Sequence, residues 1–189
     1  MESFDWSGCT AVCIASGPSL AEEDCQQVGA AGLPTVVVNN SWKLAPFAQV
    51  LFAGDQVWWE HYGAEVTIPA QRWTVSQRAA ELHGARHFRV RGTRSSGCRA
   101  IELAIELGAK RVLLLGYDCS VDSGAHWHGL HQRTGNPDAA RCAGWRREFA
   151  QLAAEAAQKG VQIINCSRVT ALSCFPRMAL QEALCLFKA

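Results

Sequence analysis

The segment Val112-Leu-Leu-Leu115 is apolar at every position and stops at Gly116-Tyr117-Asp118. A strand without polar alternation is covered on both faces, the condition of a central strand in a parallel sheet. The rest of the chain repeats the theme. Apolar or β-branched runs at Thr10–Ala15, Thr35–Asn39, Gln49–Ala53, Glu65–Ile68, His87–Val90 and Val161–Asn165 read as further strands. Helical stretches fall between them at Leu20–Ala31, Val57–Tyr62, Ser96–Leu107, Pro137–Lys159 and Arg177–Leu186. The third carries Ala100, Ile101, Ala104, Ile105 and Leu107 on one stripe, and Gly32, Gly108 and Gly160 stand where helices stop. This alternation predicts a three-layer α/β domain, a parallel sheet with helices on both faces, formed by residues 1–189 as one unit.

The bulk numbers exclude more than they identify. A net charge of +1 and the lack of a basic run argue against a nucleic-acid-binding surface. No apolar stretch approaches the ~18 residues of a membrane span. The acidic start Met-Glu-Ser-Phe-Asp-Trp lacks a secretory signal. A cytoplasmic location without membrane contact is the expectation. Nine cysteines without one CxxC pair fit reduced thiols, mostly serving as small core residues, better than a disulfide framework or zinc knuckle.

Several strand ends carry polar or glycine-rich turns. Ser16-Gly17-Pro18-Ser19 follows the first strand, with Gly17 allowing a tight turn or a close ligand and Ser19 placed to cap the next helix. Asn39 and Asn40 follow the second strand, and Gly54-Asp55 the third. Each alone is ordinary turn chemistry. On one edge of a parallel sheet they converge, where amides and a carboxylate can read a base and a ribose, with Trp42 or Trp58 as an aromatic face. Arg91-Gly-Thr-Arg-Ser95-Ser96-Gly97 opens a helix with hydroxyls, a glycine and two arginines, groups suited to a phosphate at a helix N-terminus.

After Asp118 the chain places His126, His128 and His131 within six positions. Three uses are open: metal ligation, with Asp118 or Asp122 as a harder ligand; acid/base catalysis by His126 or His128; or hydrogen bonding and stacking on Trp127. The aromatic group Trp58-Trp59 beside His61-Tyr62 reads as an acceptor platform, a subunit contact or buried core.

Taken in order, Gly17-Pro-Ser-Leu20, Asn39-Asn40, Asp55, Ser95-Ser-Gly97, Leu114-Leu-Gly-Tyr-Asp118, Asn165-Cys-Ser167 and Cys174-Phe-Pro176 span almost the whole chain. In this order the sequence resembles small phage and prophage proteins related to the bacterial sialyltransferases that use CMP-sialic acid. It is similar also to the superfamily of the archaeal hydroxymethylpterin diphosphokinases and the flagellar motility accessory factors. The resemblance implies a Rossmann-like nucleotide-binding domain, with Gly17, Ser19 and Asn39 or Asn40 on the nucleotide and Ser96 and Gly97 at phosphate. Ser16 stands where the sialyltransferases usually carry asparagine, and Ser120 and His126 stand roughly where they carry tyrosines.

The resulting expectation is a glycosyltransferase-like enzyme using a nucleotide or nucleotide-sugar and a small-molecule or glycan acceptor. Its nucleotide-binding residues are Ser16, Gly17, Pro18, Ser19, Asn39, Asn40, Asp55, Ser95, Ser96, Gly97, Tyr117 and Asp118, and its acid/base is His126 or His128. No metal is assigned to this reading. The alternatives are a Mg²⁺-dependent diphosphokinase with the metal on Asp118 and Asp122, a non-catalytic nucleotide-binding protein, and a zinc hydrolase using the three histidines. A homo-oligomer is compatible with each.

Overall fold

The computed structural model describes residues 4–187. Seven parallel strands form one sheet: β1 (Thr10–Ile14), β2 (Thr35–Val38), β3 (Val50–Phe52), β4 (Gln71–Thr74), β5 (Arg86–His87), β6 (Arg111–Leu115) and β7 (Gln162–Asn165). Their order across the sheet is β5-β4-β3-β2-β1-β6-β7. The helices are α1 (Glu22–Ala31), α2 (Gln56–Tyr62), α3 (Gln77–His83), α4 (Ser96–Glu106), α5 (Ala139–Gln158) and α6 (Leu180–Leu186). The chain is a three-layer α/β fold of Rossmann-like type.

Strand alternation sorts the core into two halves. Val12, Ile14, Val37, Leu51, Leu113, Leu115 and Ile164 face one side, against Cys25 and Val28 of α1, Trp58 and Trp59 of α2, Ala79 of α3 and Leu180 of α6. Ala11, Cys13, Val36, Phe52, Val112, Leu114 and Ile163 face the other, against Ile101 and Ala104 of α4 and Phe149 and Leu152 of α5. Burying both faces is why β6 needs no polar position. Trp58 and Trp59 are core residues, packed edge to face at 5.1 Å. Cys13, Cys25, Cys98, Cys142 and Cys166 are buried as well, and desolvation pushes their thiols up, that of Cys25 to about 12. No helix among the described residues is long and apolar enough to cross a membrane.

Two stretches depart from the sequence expectation. Glu65–Ile68 is not a strand: a 3-10 turn covers Gly63–Glu65, and the fourth strand is Gln71–Thr74. Val66 and Ile68 alternate as strand residues would, but both turn inward as plugs of the core just before Pro69. The real strand is polar and half-exposed near the sheet edge, so hydropathy hides it. The fifth strand is also shorter than His87–Val90, because only Arg86 and His87 pair with β4.

Candidate functional site

β1 lies between β2 and β6, where the winding of the chain reverses, and open α/β sheets bind ligands outside the strand ends at such a point. Here that crevice is filled by protein. Asp118 is buried at the exit of β6; its Oδ2 accepts the Ser19 N–H and its Oδ1 the Ser19 hydroxyl, both at 2.8 Å. Burial pushes the Asp118 carboxyl upward, and the two bonds from Ser19 hold it back. A Cβ on Gly17 would lie 2.1 Å from Asp118 Oδ1 and 2.5 Å from the Gly116 carbonyl oxygen. Gly17 therefore makes room for a carboxylate of its own chain.

Ser19 does not cap α1: the N-cap is Ala21, without a side-chain bond. Pro18 lies beside the Gly124 turn. Tyr117 is buried, its hydroxyl donating to the Gly97 carbonyl at 3.2 Å and its N–H to Ser167 Oγ at 2.9 Å. Five of the expected contact residues, Gly17, Pro18, Ser19, Tyr117 and Asp118, thus clasp the loops together and lie outside the cavity beside them.

That cavity, about 600 Å³, opens over the ends of β1, β2 and β3 toward α4 and α5. Ser16, Asn39, Asp55, Ser95, Ser96, Gly97 and His126 all line it, as does Trp58. Asn39 holds a left-handed backbone (φ 51°), and its side-chain oxygen is buried without a hydrogen-bond partner. Asparagine tolerates that conformation better than most residues. Asp55 occupies the N-cap position of α2 but makes no capping bond, which leaves its carboxylate toward the cavity and solvent. Asn40 is buried instead, accepting the Trp58 indole N–H at 3.1 Å, and it lines an adjoining groove.

The start of α4 is more occupied than its sequence implies. Ser95 caps it through the Cys98 N–H, and the Ser95 N–H itself donates to Glu148 Oε2 at 2.8 Å. Arg94 is ion-paired to Glu102 and, at 2.5 Å, to Glu155, while Arg99 binds the Arg91 and Gly92 carbonyls. Sequence reasoning missed the wall supplied by α5: Arg141, Trp145 and Glu148. Their spacing of four and three residues puts them on one helix face, a signal present in the sequence. Arg141 has no carboxylate partner among the described residues.

The three imidazoles stand at the β1 end of the cavity. His126 and His131 line it, whereas His128 lines the adjoining groove with Lys43 and Tyr62. His126 and His128 stack with centroids 5.1 Å apart, and His131 meets both rings edge-on at 4.5 and 4.7 Å. Each ring offers a nitrogen within 4.8 Å of those on the other two. The Nδ1 of His126 lies 3.0 Å from Ser16 Oγ, and that of His131 3.4 Å from Asn40 Nδ2. The Nε2 atoms of His126 and His128 are buried and unpartnered. Burial and the neighbouring rings lower His126 to about 4, and burial with His128 does the same to His131. His128 is lowered too, first by burial.

The loop carrying these rings is anchored at both ends of the cluster. The Trp127 N–H donates to the Ser16 carbonyl at 3.1 Å, and Asn136 makes a reciprocal pair of bonds with the His131 backbone. Neither Asp118 nor Asp122 belongs to the cluster: Asp118 is held by Ser19 and Asp122 by Ser120. No protein-family model matches the chain, and no curated protein matches it either.

Gly17→Ala is expected to lose about 2–3 kcal/mol of stability in chemical denaturation, because the added methyl meets a buried carboxylate and a backbone oxygen rather than open space. A neutral effect would show that the clasp yields easily. The histidines add a pH dependence. Their folded pKa values of about 4 lie below the ordinary 6.5, so the unfolded chain binds more protons between those values. The stabilisation is complete above about pH 6.5 and is lost as pH falls toward 4. The urea midpoint of metal-stripped protein should drop across that window, and drop less in His126→Gln.

Proposed function

We propose that the chain is a nucleotide- or nucleotide-sugar-dependent transferase, with the nucleotide in the cavity over β1, β2 and β3. The observation that carries this reading is convergence. Ser16, Asn39, Asp55 and Ser96, which are remote in sequence, share one cavity with an imidazole at its end. In this reading Asn39 offers its unpartnered amide oxygen to the base, Asp55 accepts from ribose hydroxyls, and Trp145 supplies an aromatic face. The phosphate lies between the start of α4 and Arg141, the cavity's unpaired guanidinium. Glu148 opposes it there and must release the Ser95 amide as the phosphate arrives.

The chemical step falls at the histidine end. At neutral pH the imidazoles are unprotonated, which suits them to take a proton from an acceptor hydroxyl rather than to supply one to the leaving phosphate. This favours the base half of the acid/base role, with His126 the nearer ring. The Mg²⁺-dependent diphosphokinase alternative has less support, since neither Asp118 nor Asp122 lines the cavity.

A thermal-shift series of nucleosides, nucleotides and nucleotide-sugars tests the binding half, because a ligand selective for the folded state raises apparent stability. Phosphorylated members should raise the melting temperature and their nucleosides should not. Asp55→Ala should weaken the effect and Glu148→Gln should strengthen it. With a responsive donor in hand, His126→Ala should slow transfer by about a hundredfold or more. No shift from any phosphorylated ligand would sink the proposal, and binding without turnover would reduce it to a nucleotide-sequestering protein.

A further inference from the structure

We infer that His126, His128 and His131 form a three-histidine site for a borderline divalent transition ion, with zinc the ion of choice, at the wall between the cavity and the adjoining groove. The inference deepens the reading above by giving the same site an ion, although the ion's binding can be measured without any nucleotide. Three independent features point to it. Ring nitrogens from all three residues approach within 4.8 Å of one another. Those of one tetrahedral zinc, at Zn–N of about 2.0–2.1 Å, lie about 3.4 Å apart. Small side-chain rotations close that gap.

The second feature is the pair of orphaned nitrogens. Buried polar atoms in folded proteins are nearly always hydrogen-bonded. Here Nε2 of His126 and Nε2 of His128 have no partner and no access to water. An ion that accepts lone pairs satisfies both atoms together. The third is the outer shell. Metal-bound histidines usually engage the other ring nitrogen with a fixed polar group. Ser16 Oγ stands 3.0 Å from Nδ1 of His126, where it can accept the N–H and leave the Nε2 lone pair free for an ion.

The donor set selects the metal. Three neutral imidazoles suit zinc and its transition-metal neighbours, whereas Mg²⁺ prefers oxygen ligands. The cluster has no carboxylate, so the bound ion keeps its positive charge and an open position. With the lone pair of His126 taken by the ion, a water on the open position, its pKa lowered to about 7, would serve as the base in place of the imidazole.

The test uses the full chain, stripped with chelator, freed of it, and titrated with ZnCl₂ or CoCl₂. The expected result is one ion per chain, with the visible absorption of tetrahedral cobalt and without the near-ultraviolet bands of cobalt thiolates. His128→Ala and the bulkier His128→Gln should each weaken zinc binding by roughly a hundredfold or more. Because His128 lies outside the nucleotide cavity, both variants should retain any nucleotide-induced thermal shift, which separates failure of the zinc site from failure of the transferase reading. Thiolate bands, octahedral cobalt with millimolar affinity, or unchanged binding in both His128 variants would overturn the inference.

Discussion

The clasp between Asp118 and Ser19 decides which strand ends this fold closes and which it leaves open. A buried carboxylate is costly unless its oxygens are hydrogen-bonded, and both oxygens of Asp118 are answered by one residue across the sheet. The clasp ties the exit of β1 to the exit of β6. Further bonds extend it to β7: Tyr117 N–H to Ser167 Oγ, Thr170 hydroxyl to the Tyr117 carbonyl at 2.7 Å, and Ala171 N–H to the Asp118 carbonyl at 2.7 Å. Three adjacent strand ends become one rigid block. The price is the switch-point crevice itself, which protein now fills, and the open volume moves one strand over, to β1, β2 and β3.

This displacement explains which parts of the site were legible in the sequence. Asn39 after β2, Asp55 after β3 and Ser95–Gly97 before α4 line the open cavity, whereas Asn40 turns inward to the Trp58 indole and Ser95 also caps its helix. Gly17, Ser19 and Asp118 looked the same on paper. A glycine turn, a serine and a strand-end aspartate are equally suited to a phosphate and to one another, and only their mutual distances reveal that they are mutual partners. Fold class was legible for a stronger reason: apolar runs such as Val112–Leu115 demand cover on both faces, whatever the loops do. Where that pressure weakens, at the half-exposed β4, the sequence reading placed the strand in the wrong segment.

α5 supplied the largest surprise. Its Ala-rich composition disguises a polar stripe in the first half, in which Arg141, Trp145 and Glu148 face the cavity while Phe149 and Leu152 face the core. Glu148 acts on the start of α4 as an internal anion, taking the Ser95 N–H that a phosphate would otherwise claim. Helix N-termini favour negative charge, so this carboxylate stabilises the start of α4, and the phosphate of the proposed function would have to compete with it. The same cavity holds a second carboxylate, Asp55, and the guanidinium of Arg141, so under the proposed reading Arg141 is the cation that would draw a phosphate past Glu148.

The histidine loop shows how a long connection can be as definite as a strand end. Ordering a loop residue costs about 1–2 kcal/mol of backbone entropy, so a segment of this length needs anchors. It has them at Trp127, whose backbone bonds the β1 exit and whose ring packs on the core, and at Asn136, which holds His131 from both sides. Between the anchors the three rings are gathered against one another, with Nε2 of His126 and Nε2 of His128 buried and unpartnered. Rigid surroundings and frustrated polar atoms belong together here: the clasped strand ends supply the stiffness, and the stiffness keeps three neutral imidazoles from relaxing outward into water.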